Sequence, residues 1–319
     1  MQVMSKKIVV LGTGGTIAGR ASDAMDTVGY VAGQVGVADL IAAVPGLAQW
    51  PLVIEQIAQL DSKDMDFSVW QSLLARCAYW LGQDDVQGVV ITHGTDTLEE
   101  TAFFLHQVLA PAKPVVLTCA MRPASAPAPD GPQNLLDAMA VVSAPSATGV
   151  TVVCAGVVHS AVDVQKVHTY RLDAFSSGDD GPLGYVEATR FRRVRDWPLP
   201  TAIVMPDAIE KIASIRQWPR VDIVTSHAGA DGQLVRLLVA DGVQGIVVAA
   251  TGNGTVHTVL SQALVAAQAQ GVKVLRATRC AQGRVLEVAG DPISAALGLS
   301  PVKARIALML ALLGEPAHH

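Results

Sequence analysis

The sequence predicts a two-domain α/β protein: a larger N-terminal domain with a doubly wound, mostly parallel sheet, and a smaller C-terminal α/β domain. Three observations carry that reading. From Val9 onward, short apolar β-branched runs alternate with helix-length amphipathic segments. The stretch Phe191 to Trp218 breaks the pattern with Arg192, Arg193, Arg195, Pro198, Pro200 and Pro206, after which the alternation restarts. The chain's 319 residues also exceed what one hydrophobic core usually holds. The expected division is therefore residues 1–190, a linker over 191–218, and residues 219–319.

Taken in order, Val9-Val10-Leu11 reads as a strand buried on both faces, breaking into Gly12-Thr13-Gly14-Gly15-Thr16-Ile17-Ala18-Gly19. Arg20 to Gly29 is polar, lacks a period and has the character of a lid. Asp39 to Val44 reads as a short helix stopped by Pro45-Gly46, and Leu52 to Leu60 as a strand ending in Asp61-Ser62-Lys63-Asp64. Phe67, Trp70, Leu74, Cys77 and Leu81 recur at helical spacing, which gives a helix over 65–81 with Trp70 in the core. A strand over 88–92 leads into His93-Gly94-Thr95-Asp96-Thr97 and a helix over 98–109. A strand over 114–119, a rigid proline-rich loop over 124–132, a helix over 134–142 and a strand over 149–153 follow. Beyond the linker, strands are expected at 221–225, 245–250 and 272–275, and helices at 232–240, 256–269 and 302–313.

Composition narrows the function. Half the residues are apolar, only 16% are charged and the net charge is −5, so no basic face exists for nucleic acid. Few charges on an apolar chain also point to buried subunit interfaces. Cys77, Cys119, Cys154 and Cys280 lack metal or redox spacing and read as reduced core thiols, as in a cytosolic protein. Met1 to Lys7 lacks a signal core and no run is long enough to span a membrane. The expected compartment is the cytoplasm, with a processed periplasmic form left open.

The glycine turn suits three uses. It is a tight turn without chemistry, a phosphate loop, or a strained turn presenting a hydroxyl nucleophile. It lacks the Gly-Lys-Ser/Thr ending, and Gly12, Gly14, Gly15 and Gly19 miss the dinucleotide spacing. In the second polar cluster, Thr95 and Asp96 offer a hydroxyl and an anion at one strand end, suited to holding an ammonium group beside a carbonyl. They equally suit capping the following helix, and Ser62 equally suits a cap before Met65.

Together these pieces resemble the bacterial-type L-asparaginases, the asparaginase/glutaminase family. The resemblance rests on Thr13-Gly14-Gly15-Thr16-Ile17-Ala18-Gly19 and Ile91-Thr92-His93-Gly94-Thr95-Asp96-Thr97-Leu98-Glu99-Glu100-Thr101-Ala102. It extends to Tyr30 with Gly33-Gln34-Val35-Gly36-Val37, Ser62-Lys63-Asp64-Met65, Ala120-Met121-Arg122-Pro123 and Asp130-Gly131-Pro132. Asp163-Val164-Gln165-Lys166, Gly181-Pro182-Leu183-Gly184-Tyr185 and Gly252-Asn253-Gly254 complete it, in order along nearly the whole chain.

The resemblance implies a metal- and cofactor-independent amidohydrolase that converts L-asparagine to L-aspartate and ammonia, with L-glutamine as a slower substrate. It implies Thr16 as nucleophile, Tyr30 as the lid residue that helps deprotonate it, and Thr95, Asp96 and a buried Lys166 as a second catalytic group. Gly15, Asp61, Ser62, Lys63, Thr95, Asp96 and Ala120 would line the substrate site, Ser62 taking its α-carboxylate and Asp96 its α-amine. Tyr30 can act as a base only where a cation or hydrogen bonds favour its phenolate. Two departures stand out. Lys63 replaces a glutamine common in secreted members, and Gln282 to Leu299 matches the family poorly. Asn253 and Glu287 are the candidates for residues reaching a neighbouring subunit's site in a homotetramer of intimate dimers. Rival readings are an amidase subunit of a tRNA-dependent amidotransferase, a non-catalytic amino-acid sensor and a nucleotide-dependent enzyme.

Overall fold

The computed structural model describes residues 6–198 and 207–314, so Met1 to Ser5, the linker prolines Pro200 and Pro206, and His318-His319 lie outside the described residues. The chain forms two compact units, Met1–Ser214 and Ile215–His319.

In the first unit, β1 (Lys7–Gly14) is buried at every position after Lys7, as its Val-Val-Leu run demands. It is followed by α1 (Val37–Ala42), β2 (Leu52–Leu60), α2 (Phe67–Leu81), β3 (Val86–Thr92), α3 (Leu98–Leu109), β4 (Val115–Thr118), α4 (Gly131–Val142) and β5 (Val150–Cys154). Then come β6 (Val157–Ser160), the two-residue pair β7 (Gln165–Lys166) and β8 (Phe175–Ser176), β9 (Gly184–Glu187), β10 (Arg190–Arg193) and α5 (Ala208–Ser214).

Local chemistry sets the element ends. The Asp66 carboxylate accepts from Val69 N–H at 3.0 Å and caps α2, placing its start two residues later than the apolar spacing suggested. Ala110 takes a left-handed conformation that ends α3 just before Pro111. Trp70 is buried, stacked on Phe104 with ring centroids 4.6 Å apart.

The eight-stranded sheet runs β10-β9-β6-β5-β4-β3-β1-β2. From β2 to β5 all pairings are parallel, and β6, β9 and β10 extend the sheet antiparallel. The chain winds outward from β1 to β2, then crosses back to the other side of β1 for β3, β4 and β5. That reversal makes the β1/β3 boundary a topological switch point, where a crevice opens at the carboxyl ends of the strands.

The second unit holds β11 (Val221–Thr225), α6 (Gln233–Ala240), β12 (Gly245–Ala250), α7 (Thr258–Gln268), β13 (Lys273–Thr278), β14 (Ser294–Ala295) and α8 (Pro301–Gly314). Its parallel sheet, β11-β12-β13-β14, packs a core that includes Ile246, Val248, Leu260, Leu264 and Val274. Strand β14 lies in the stretch whose family likeness is weakest.

The edge strand β10, which begins at Arg190, and the helix α5 both belong to the first unit, and Arg192 binds Glu187 across the hairpin at 2.7 Å. One expectation changes. Cys77, Cys119 and Cys154 are buried free thiols, but Cys280 is an exposed one, in the turn that leaves β13. Among the described residues no helix is long and apolar enough to cross a membrane.

Candidate active site

Four turns meet at the carboxyl edge of the sheet, because β4, β3, β1 and β2 are neighbours running the same way. They carry Ala120, the His93–Asp96 cluster, Thr16, and Asp61-Ser62 respectively. The glycine turn is tight for a steric reason. Gly14 and Gly15 have φ of 101° and 83°, conformations that side-chain residues adopt only with strain. A Cβ on Gly15 would lie 2.2 Å from Gly94 Cα, so the turns after β1 and β3 touch backbone to backbone. Gly15 N–H donates to Leu60 carbonyl at 2.8 Å and the Thr13 hydroxyl to Thr92 carbonyl at 3.0 Å, tying β1 to both neighbours.

Thr16 and Thr95 are each only 6% exposed. The Thr16 hydroxyl lies 2.7 Å from the Tyr30 hydroxyl, which the loop between Gly19 and Gly33 brings over it. That loop is closed at its base by paired backbone bonds between Arg20 and Val31. Burial raises the Tyr30 pKa above its ordinary value of 10, and the negative charges of Asp61 and Asp96 add to the rise, while the bond to Thr16 opposes it. Tyr30 therefore rests as a phenol.

Lys166 comes from β7, outside the main sheet. Its ammonium donates to the Thr95 hydroxyl at 2.8 Å and to the Asp96 carboxylate at 2.6 Å. The Lys166 side chain is 19% exposed against 52% for Asp96, so the cation is part-buried and not sealed off, as had been expected of it. Thr95 does not cap α3, whose N-cap position is Thr97.

On the other flank Ser62 is buried, and its hydroxyl accepts from Asp96 N–H at 3.1 Å. Asp61 is the residue that caps the short turn over Ser62–Asp64, accepting from Lys63 N–H at 3.3 Å. The Lys63 ammonium pairs outward with Asp64 at 2.6 Å and with Asp61 at 3.3 Å. Ala120 is buried at the end of β4. In the second unit, Asn253 bonds Leu286 both ways: its side-chain amide donates to Leu286 carbonyl at 3.3 Å and accepts from Leu286 N–H at 2.7 Å. Glu287 follows on that loop, exposed.

Two residues that sequence reasoning passed over hold this edge together. The Thr97 hydroxyl donates to Ser62 carbonyl at 2.8 Å. The Asp130 carboxylate takes Met121 N–H and Arg122 N–H at 2.9 Å each, one on each oxygen, and so clamps the turn after Ala120. Both sit inside motifs already quoted, which was the available signal; their roles appear only when distant turns come together.

Residues 7–197 match the family model for the asparaginase N-terminal domain, and residues 220–316 that for the glutaminase/asparaginase C-terminal domain. The chain is 37% identical to L-asparaginase 2 of Bacillus subtilis, over 96% of this chain and 82% of that protein. It is 38% identical to a glutaminase-asparaginase of Pseudomonas fluorescens biotype A, over 96% and 86%. The crystal structure of a probable cytoplasmic L-asparaginase from Campylobacter jejuni superposes with a TM-score of 0.90 at 38% identity, covering 96% of this chain and 95% of that one.

Proposed function

The chain belongs to the asparaginase family, and on that premise we infer that it is an amidohydrolase converting L-asparagine and water to L-aspartate and ammonia, with L-glutamine a slower substrate. The observation that carries this is the pair of nearly buried threonines on touching turns, one bonded to a tyrosine and the other to a lysine–aspartate ion pair.

In this reading Thr16 Oγ1 attacks the side-chain amide carbon while Tyr30 passes its phenolic proton to the amide nitrogen and takes the Thr16 proton in its place. The tetrahedral intermediate collapses, the C–N bond breaks, and the nitrogen leaves as ammonia after gaining a proton. Backbone N–H groups of the glycine turns supply donors for the oxyanion. Water held by Thr95 then attacks the acyl ester, releases L-aspartate and returns the proton to Thr16. Lys166 stabilises the charge that develops on the Thr95 hydroxyl. Asp96 and Ser62 hold the substrate's α-amine and α-carboxylate, with Gly15, Asp61, Lys63 and Ala120 around them. Because Tyr30 rests as a phenol under the field of Asp61 and Asp96, the substrate's ammonium group, by neutralising those anions, is what lets the phenol accept negative charge.

A homotetramer completes the proposal. Glu287 of a neighbouring subunit faces the substrate, and Asn253 acts through the loop it clasps at Leu286. A cytoplasmic location is supported by the name of the Campylobacter relative. The test is ammonia release from L-asparagine and L-glutamine by the purified protein. Thr16→Ala and Thr95→Val are each expected to lower kcat by at least about 10³-fold with the far-UV spectrum unchanged. Substantial turnover in either variant sinks the role assignment. Asparagine binding without ammonia release by the unsubstituted protein indicates a sensor.

A further inference from the structure

The reaction just described leaves a buried titratable group beside Thr95 without a role. His93 is fully buried beside Thr95, and its ring lies between two partners that determine where its proton sits. Nδ1 is 2.7 Å from the Gly94 carbonyl, which can only accept, so Nδ1 carries the hydrogen. Burial pulls the His93 pKa down to about 4, so the ring is neutral and Nε2 is bare. Nε2 therefore accepts from the Thr101 hydroxyl at 2.9 Å. With its one proton given away, Thr101 Oγ1 accepts the indole N–H of Trp70, also at 2.9 Å. Trp70 is 4% exposed and Thr101 0%, so no water competes along the chain.

We propose that Trp70, Thr101 and His93 form a one-way hydrogen-bond relay that orients and polarises the Gly94–Thr95 peptide, making His93 a positioning residue for Thr95 and neither an acid nor a base. Every proton in the relay points towards the Gly94 carbonyl. Hydrogen bonds in series strengthen one another in a low-dielectric interior. Drawing charge onto that carbonyl oxygen makes the N–H of the same planar peptide, which belongs to Thr95, a better donor. Among the described residues no protein acceptor takes the Thr95 N–H, so this donor is available to a substrate held beside Thr95. The relay also explains why a histidine, in place of a smaller polar residue, fills the space. Its two nitrogens sit on opposite sides of a rigid ring and join α3 to the turn after β3 in one step.

The inference rests on the reading that Thr95 takes part in turnover, and its test separates the two. Nitrogen-15 NMR of the labelled protein is expected to show His93 as the Nδ1–H tautomer, unchanged between about pH 5 and 8. Thr101→Val, which keeps the shape and loses the hydroxyl, should lower kcat about five- to tenfold with KM within about twofold. Thr101→Ser should stay within about twofold of the unsubstituted enzyme, and Trp70→Phe should fall between. An Nε2–H tautomer, an unchanged kcat in Thr101→Val, or an equal loss in the serine variant overturns the relay. If the valine variant does not fold, the tautomer and Trp70→Phe decide. If the unsubstituted protein releases no ammonia, the functional reading fails and the tautomer alone judges the relay.

Discussion

Tyr30 shows how far a residue's chemistry depends on its surroundings. On sequence grounds it needed a cation or hydrogen bonds to become a base, but burial and two nearby carboxylates push its pKa the other way. The consequence for stability has a definite sign. A tyrosine with a raised folded-state pKa keeps its contribution below the unfolded value near 10 and loses it as pH rises through the folded value. The melting temperature should therefore fall from about pH 10 upward, and the fall should be shallower in Tyr30→Phe. Melting curves of the two proteins between neutral pH and pH 11 make the comparison, and equal alkaline losses would put the phenol in water. Lys63 teaches a related point: its charge is spent on Asp61 and Asp64, so in the proposed reaction its influence would run through Asp61 as well as through its own ammonium.

At the level of elements, the site depends on how closely two turns approach. The turn after β1 and the turn after β3 meet at Gly15 and Gly94 with no space between them. Gly15→Ala combines an overlap of backbone atoms with a positive φ, so it should destabilise the protein by at least about 2 kcal/mol and lower activity with it. Denaturant titration gives the first number and ammonia release the second. A fully stable, active alanine variant would mean that the turns move apart at little cost. The lysine strand behaves differently. β7 and β8 form a two-residue ladder away from the main sheet, and Lys166 reaches the site from there. Its position depends on Lys166 pairing with Phe175 and on the ion pair with Asp96, a pairing across loops that no helical or strand period announces.

For the whole molecule, the two units have unequal tasks in the proposed reaction. The first supplies Thr16, Tyr30, Thr95, Asp96 and Lys166, and the second offers Asn253 and Glu287 to another chain's site. If sites are shared in this way, two defective chains should repair one another. Thr16→Ala and Glu287→Ala proteins, each weak alone, should regain activity when unfolded together and refolded as a mixture. Hybrid pairs then contain one site with an intact threonine and an intact glutamate. Activity equal to the average of the separate proteins would mean that each chain's site is its own.

Much of this was legible beforehand, for identifiable reasons. The strands β2, β3, β11 and β12 and the helices α2 and α3 follow from apolar period and from capping or breaking residues, all local in sequence. The threonine motifs were legible because a family likeness names the chemistry. Cys280 was misjudged because a cysteine's burial depends on which part of the folded surface its turn falls on.

The sequence by itself determined the alternation of strands and helices, the absence of a basic face, and the residue types at each strand end. Those properties depend on neighbours within a turn or two of chain. Only the tertiary structure decided that β1 lies between β2 and β3, that Tyr30 rests as a phenol, and that the His93 proton sits on Nδ1. These depend on burial and on elements from different parts of the chain being packed together in a region of low dielectric, where a single donor or charge sets the state of its partner.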